Sequence, residues 1–169
     1  MQNANSGLRT FFIDSLQDIY YAEKHLVDAL ETLEEKATTQ NLKNAFAEHR
    51  DVTLGHVSRL EEVFSILGEE AQTRKCEAIK GIIKEADAII NETETDTLTR
   101  DAALILAAQK AEHYEIATYG TLATFARTLG ENQVASLLHE TLEEEKEADE
   151  MLTNIAESFI NEQAMQDSV

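Results

Sequence analysis

Apolar residues recur at spacings of three and four along most of the chain, and no proline interrupts this pattern in its 169 residues. Such spacings place side chains on one face of an α-helix. Proline is costly inside a helix, so its absence favours long continuous helices. The chain is therefore predicted to be all-α, with amphipathic helices that bury their apolar faces against one another.

Five helical segments can be read from the pattern. They are placed at residues 6–36, 40–67, 76–91, 97–129 and 132–162. Ser6 and either Thr97 or Thr99 are predicted caps, because a side-chain oxygen can accept from the first free N–H groups of a helix. Gly68 and Gly130 lie just past predicted helix ends, where glycine is favoured.

Short links at residues 37–39 and 130–131 predict two antiparallel helical hairpins. Two hairpins with a long connection are the layout of a four-helix bundle with one crossover, here carrying the helix at about 76–91. We expect one domain over residues 1–169, because the length suits a single core. The polar end, about 161–169, is expected to fray.

The net charge of −19 comes from 14 Lys and Arg against 33 Asp and Glu. This balance opposes binding to nucleic acid or to an anionic membrane surface and favours cations as partners. A single cysteine, Cys76, excludes an intrachain disulfide, and no apolar run is long enough for a membrane span. The N-terminus lacks a signal-peptide pattern, so we expect a reducing, cytoplasmic setting.

Carboxylates and imidazoles interrupt the apolar faces near the middle of the long helices. Glu112 continues the stripe of the fourth segment and Glu145 that of the fifth, while Glu23, His49 and His56 continue the stripes of the first two. A buried carboxylate is costly unless it is paired, hydrogen-bonded or bound to a metal. Hairpin pairing brings these positions to similar heights, which suggests a cation between them.

Several segments closely resemble the YciF stress-protein family. They are DAALILAAQKAEHYEIATYGTLATFARTLG from Asp101, LLHETLEEEK from Leu137, YAEKHL from Tyr21 and KCEAIKGIIKEA from Lys75. The resemblance covers nearly the whole chain. It implies a ferritin-like four-helix bundle, related in architecture to rubrerythrins and manganese catalases, and a ferroxidase activity.

Ferritin-like di-metal sites take one Glu from each of two helices and Glu-x-x-His from each of the other two. The resemblance assigns Glu23 as the single Glu of the first helix and Glu112 as that of the third long helix. Glu115 lies one turn after Glu112, so both carboxylates could reach one ion.

The other two long helices depart from this pattern. Glu145 matches the carboxylate of the last helix, but Ala148 occupies the His position, so Asp149 is the nearest replacement. Glu144 with Glu147 is an alternative pair on an adjacent face. The second helix contains no Glu-x-x-His and offers only His49 and His56 as inward groups. A one-metal site, a rearranged site and no site all remain open.

Two hypotheses follow for function. The first is a stress-response protein that binds iron or manganese and handles the metal or peroxide, because oxygen ligands with some imidazole suit these ions and not a thiolate zinc site. The second is a non-catalytic helical stress protein with a degenerate site. The predicted metal ligands are Glu23, His49, His56, Glu112, Glu115, Glu145 and Asp149.

A second apolar stripe predicts a homodimer. It includes Phe11, Ile66, Leu106 and Phe125, which a monomer would leave in contact with water.

Overall fold

Helices make up nearly all of the computed structural model, which describes residues 6–167. The elements are α1 (Gly7–Lys36), α2 (Gln40–Leu67), α3 (Glu77–Glu92), α4 (Leu98–Leu129), α5 (Asn132–Ile155), a π-helical turn (Ala156–Ile160) and α6 (Asn161–Ala164). No strand occurs within this described part. The prediction of an all-α protein is confirmed. None of the helices in residues 6–167 is long and apolar enough to cross a bilayer.

The helix ends follow the capping residues in the sequence. The hydroxyls of Ser6, Thr39 and Thr97 accept from backbone N–H groups in the first turns of α1, α2 and α4. Helices α2 and α4 end at Gly68 and Gly130, whose φ angles of 69° and 85° lie in the left-handed region. Glycine adopts this conformation without the steric penalty of a Cβ atom.

The last helix extends farther than the sequence pattern predicted. The π-helical turn at Ala156–Ile160 continues α5 into α6, so the first residues of the predicted polar tail are helical. The Asp167 carboxylate accepts a hydrogen bond of 2.7 Å from the Thr99 backbone N–H, which holds this end against the start of α4. Residues 168–169 of that tail lie outside the described residues, as do residues 1–5.

Helix pairs adjacent in sequence pack against each other, α1 with α2 and α4 with α5. Contacts between α2 and α5 and between α1 and α4 join the two pairs, while α3 lies against α4 and α1. Two clusters of buried apolar residues fill the two ends. One includes Phe12, Phe64 and Leu122, and the other includes Leu42 and Leu152. The inward polar residues lie between these clusters.

A buried aspartate fixes the turn between α1 and α2. Asp101, in the first turn of α4, is fully buried, and its two carboxylate oxygens accept from the backbone N–H groups of Thr38 at 2.6 Å and Thr39 at 2.9 Å. Charge-assisted hydrogen bonds of this kind are stronger than neutral ones. The contact therefore ties one helical hairpin to the start of the other.

We predict that Asp101→Ala lowers the free energy of unfolding by about 3 kcal/mol, because two hydrogen bonds to a buried charge are lost. Urea unfolding monitored by circular dichroism measures the change. Asp87→Ala, at an exposed position on α3, is the matched control and should have little effect. Equal losses in the two variants would contradict this role for Asp101.

Candidate metal centre

Glu145 lies between two groups of potential metal ligands. Glu23, His56 and Glu145 form one group, and His49, Glu112 and Glu145 form the other. In each group, one donor atom from every residue lies within 4.8 Å of the others. The residues come from all four long helices, so the centre depends on how these helices pack together.

The two carboxylate oxygens of Glu145 face different groups. Its Oε1 lies 2.9 Å from His56 Nδ1, whereas its Oε2 lies 3.7 Å from His49 Nε2. The remaining carboxylates complete the groups, with Glu23 Oε1 at 3.6 Å from His56 Nδ1 and Glu112 Oε1 at 3.2 Å from His49 Nε2. A carboxylate in this position can bridge two cations.

Several buried polar atoms at the centre have no hydrogen-bond partner in the structure. They are Glu23 Oε2, His56 Nδ1, Glu112 Oε2 and both carboxylate oxygens of Glu145. The short contact between His56 Nδ1 and Glu145 Oε1 is therefore an electrostatic approach without hydrogen-bond alignment. Unpartnered buried groups are rare and cost free energy. Iron or manganese fits these oxygen and imidazole donors, because a cation at each group would give the unpartnered atoms of that group a partner.

His56 is held from its outer side by a chain of polar contacts. Its Nε2 lies 2.9 Å from Glu144 Oε2, and that oxygen also accepts from Arg59 Nη1 at 2.6 Å. Arg59 donates as well to the hydroxyl of Thr141, at 2.7 Å. A histidine that contacts a carboxylate through one nitrogen and a ligand site through the other is typical of metal centres.

Tyr119 closes the same side of the centre. Its ring is fully buried, and its hydroxyl donates a short hydrogen bond to Glu23 Oε1. The other oxygen of this carboxylate, Glu23 Oε2, has no hydrogen-bond partner and is available to a ligand. Burial raises the pKa of Tyr119, so its hydroxyl keeps its proton and remains a donor.

Burial and mutual repulsion raise the pKa values of the central carboxyl groups. Burial is the main cause for Glu23 and Glu145, and it raises the pKa of Glu112 to about 7. Burial lowers the pKa of His49, which favours the neutral imidazole that a metal requires. Burial also acts to lower the pKa of His56, but the contacts with Glu145 and Glu23 outweigh burial and raise this pKa to about 10. In the metal-free protein, protons compensate part of the buried charge.

The structure brings five of the seven predicted ligands together, namely Glu23, His49, His56, Glu112 and Glu145. Their binding of metal stays a prediction. Glu115 is buried but contributes to neither group, and burial raises its pKa well above the usual range. Asp149 turns away, because its carboxylate accepts from Gln109 at 3.1 Å and lies 3.3 Å from His113 Nε2.

The sequence pattern did not reveal the contacts of Arg59 and Glu144. Both side chains are partly buried and lie at the edge of the inward face of their helix, so neither continues an apolar stripe. The sequence signal was weak: Arg59 follows His56 by three residues and so shares its helix face. Tyr119 lies on the buried face of α4, and its hydroxyl contacts Glu23 directly.

Comparison with known proteins identifies relatives over almost the whole chain. The family described as "Domain of unknown function (DUF892)" matches residues 7–165. The chain belongs to the DUF892 family. It is 47% identical over 154 residues to Protein YciF of Escherichia coli (strain K12), which covers 90% of this chain and 92% of that protein. The predicted resemblance to the YciF stress-protein family is confirmed.

Solved structures of related proteins share the arrangement. The E. coli stress protein YciF superposes with a TM-score of 0.88 at 44% identity, covering 92% of this chain and 98% of that one. YcfI, a proposed structural protein from Rhodopseudomonas palustris, gives a TM-score of 0.84 at 37% identity and covers 90% and 97% of the two chains. A Xanthomonas campestris protein at 22% identity and a TM-score of 0.75, covering 94% and 97%, shares the fold.

We predict that Glu112→Gln changes how the stability of this DUF892 protein depends on pH when metal is absent. The folded-state pKa of about 7 exceeds the unfolded value, so the wild type loses stability as pH rises towards 7. Glutamine has no charge to bury. The variant should therefore gain about 2–3 kcal/mol relative to wild type between pH 5 and pH 8.

Urea unfolding in a chelator at both pH values measures this difference, and comparison with wild type cancels the titration of other groups. Glu150→Gln, an exposed position on α5, is the control and should show no such gain. A stability difference for Glu112→Gln that does not change with pH would contradict the buried-carboxyl interpretation.

Proposed function

We propose that the chain is a ferritin-like protein that binds two iron or manganese ions, with Glu145 as the bridging ligand. The observation that carries the proposal is the pair of unpartnered Glu145 oxygens, each facing a separate group with one imidazole and one further carboxylate. The contacts among α1, α2, α4 and α5 support a four-helix bundle, and α3 lies in the crossover.

Each ion would have its own set of residues. Glu23 and His56 would hold one, and His49 and Glu112 would hold the other. The second helix supplies two histidines seven residues apart in place of Glu-x-x-His, and α5 supplies Glu145 without a following histidine. The site is thus a rearranged form of the ferritin-like pattern, in which His49 and His56 provide the imidazoles.

Iron or manganese would supply one-electron redox chemistry with dioxygen or peroxide. The protein residues would balance the charge of the ions and control protons. Arg59 and Glu144 orient the His56 ring, and the Tyr119 hydroxyl fixes one oxygen of Glu23. These contacts favour a ferroxidase or peroxide-handling role in the stress response.

The alternative is a non-catalytic helical stress protein. The observation in its favour is that His56 and Tyr119 already compensate part of the charge of Glu23 and Glu145. The description of the R. palustris relative as a proposed structural protein agrees with it. Under this alternative, the buried carboxyls are held by imidazoles, a phenol and protons, and metal has no effect on stability.

We predict that Mn²⁺ stabilises the wild type and that Glu145→Gln abolishes this effect, because both ion positions lose a ligand. At a free Mn²⁺ concentration of 100 times its dissociation constant, the wild type should gain about 2.7 kcal/mol for each ion bound. Thermal unfolding with and without Mn²⁺, together with isothermal titration calorimetry, measures the effect. The double variant Glu112→Gln with Glu145→Gln should behave in the same way.

Glu150→Gln is the matched control, because it removes an exposed carboxylate from the same helix and should keep the full stabilisation. Equal stabilisation of wild type and Glu145→Gln would show that the ligands are wrongly assigned. No stabilisation of the wild type by either Mn²⁺ or anaerobic Fe²⁺ would favour the non-catalytic alternative.

A homodimer is part of the proposal. Phe11 is 60% exposed and stacks edge-on against Phe125 at 6.2 Å between ring centroids, and Leu106 is 54% exposed. Large exposed apolar side chains favour burial against a partner. Light scattering at micromolar concentration should give about twice the chain mass, and a mass near 18.9 kDa would contradict the dimer.

A further inference from the structure

A cavity of about 180 Å³ lies between α2 and α5 and reaches the metal centre from the surface. His49 and Glu112 lie on its floor, and Ala148 forms part of its wall. The Glu112 side chain is almost fully buried, and its Oε2 has no partner. A larger residue at position 148 would narrow the cavity. The small side chain of Ala148 therefore leaves the cavity open as far as His49 and Glu112.

The mouth of the cavity carries free negative charge. Glu48 and Glu147 line it, both residues are exposed, and neither forms an ion pair within the part of the chain that the structure describes. Glu144 also lines the cavity, but Arg59 neutralises it at 2.6 Å. No Lys or Arg lines the cavity among residues 6–167. A mouth of this kind attracts cations and repels anions.

The other ligand group, Glu23 and His56, does not border this cavity. Glu23, His56 and Tyr119 are all fully buried, and none of them lines the cavity. The two groups meet at Glu145, which is itself fully buried. A cation coming from solvent therefore meets the floor formed by His49 and Glu112 before it meets Glu23 and His56.

We propose that divalent cations reach the centre through this cavity, with Glu48 and Glu147 as the attracting charges at its mouth. The proposal rests on the metal-binding function above. One water molecule in the liquid occupies about 30 Å³, so the cavity has room for a cation that keeps part of its hydration shell. The ion position at His49 and Glu112 fills first, and the position at Glu23 and His56 fills through it.

The first test removes the charge at the mouth. The double variant Glu48→Gln with Glu147→Gln keeps both side-chain sizes, and both sites are exposed, so the fold should be unaffected. Stopped-flow absorbance with Co²⁺ as the probe should show association about tenfold slower at low ionic strength, because charges at a rim act mainly on the association rate. The dissociation rate should change less than twofold, and added salt should reduce the difference.

The matched control is the double variant Glu62→Gln with Glu92→Gln. It removes the same charge from exposed positions on α2 and α3 that do not line the cavity. Its association rate should stay within about twofold of wild type, because neither carboxylate lines the cavity and so neither adds to the focused charge at its mouth. Equal slowing in the two double variants would show a general effect of net charge and would overturn the assigned route.

The second test obstructs the cavity with Ala148→Leu. If cations enter and leave by this route, association and release should slow together, by about tenfold, while the dissociation constant stays within about threefold. Damage to the ligands would instead speed up release and weaken affinity. Unchanged rates in this variant would overturn the route even if equilibrium binding is normal. If Co²⁺ does not bind the wild type at equilibrium, the metal-binding function fails and the route fails with it.

Discussion

Burying carboxylates in the middle of a helical core is the constraint on which the rest of the structure depends. Glu23, Glu112, Glu115 and Glu145 are each at most 1% exposed, and water cannot solvate their charges. An isolated buried charge is far too costly to persist, so each must be protonated or compensated. The described residues supply two imidazoles and one phenol at this level, which leaves buried oxygens without partners.

The polar contacts around the centre extend this compensation outwards. Glu144 lies between His56 and Arg59, and is itself half-buried, so its charge is shared between a ring inside the core and a guanidinium near the surface. Such a network orients the imidazole and links α2 to α5. The apolar clusters at the two ends hold the helices in register, and the polar level between them depends on that register.

Helical periodicity was sufficient to predict the all-α structure and the inward direction of the main polar residues. The positions of Gly68 and Gly130 also fixed two helix ends, because few residues adopt the left-handed conformation found there. Periodicity predicts which face of a helix is buried, but it does not predict the position of the terminal atoms of a flexible side chain. Glu115 is buried as expected and still contributes to neither ligand group.

Contacts between side chains of different helices could not be predicted from the sequence pattern, for the same reason. Asp149 has a shorter side chain than glutamate, and Gln109 on α4 draws its carboxylate away from the centre. Asp101 binds a turn 62 and 63 residues away, a separation that no local repeat encodes. Such contacts depend on helix rotation and height, which are set by packing of the whole core.

The two ligand groups of the centre have different surroundings. The group with Glu23 and His56 is sealed by Tyr119 and supported by Glu144, and both of its residues are fully buried. The group with His49 and Glu112 borders a cavity instead, and within residues 6–167 no side chain forms a hydrogen bond to the His49 ring. A low dielectric strengthens every charge interaction on the sealed side, while the side that borders the cavity lies nearer to solvent. Because Glu145 belongs to both groups, a change of charge at the open position is transmitted directly to the sealed one.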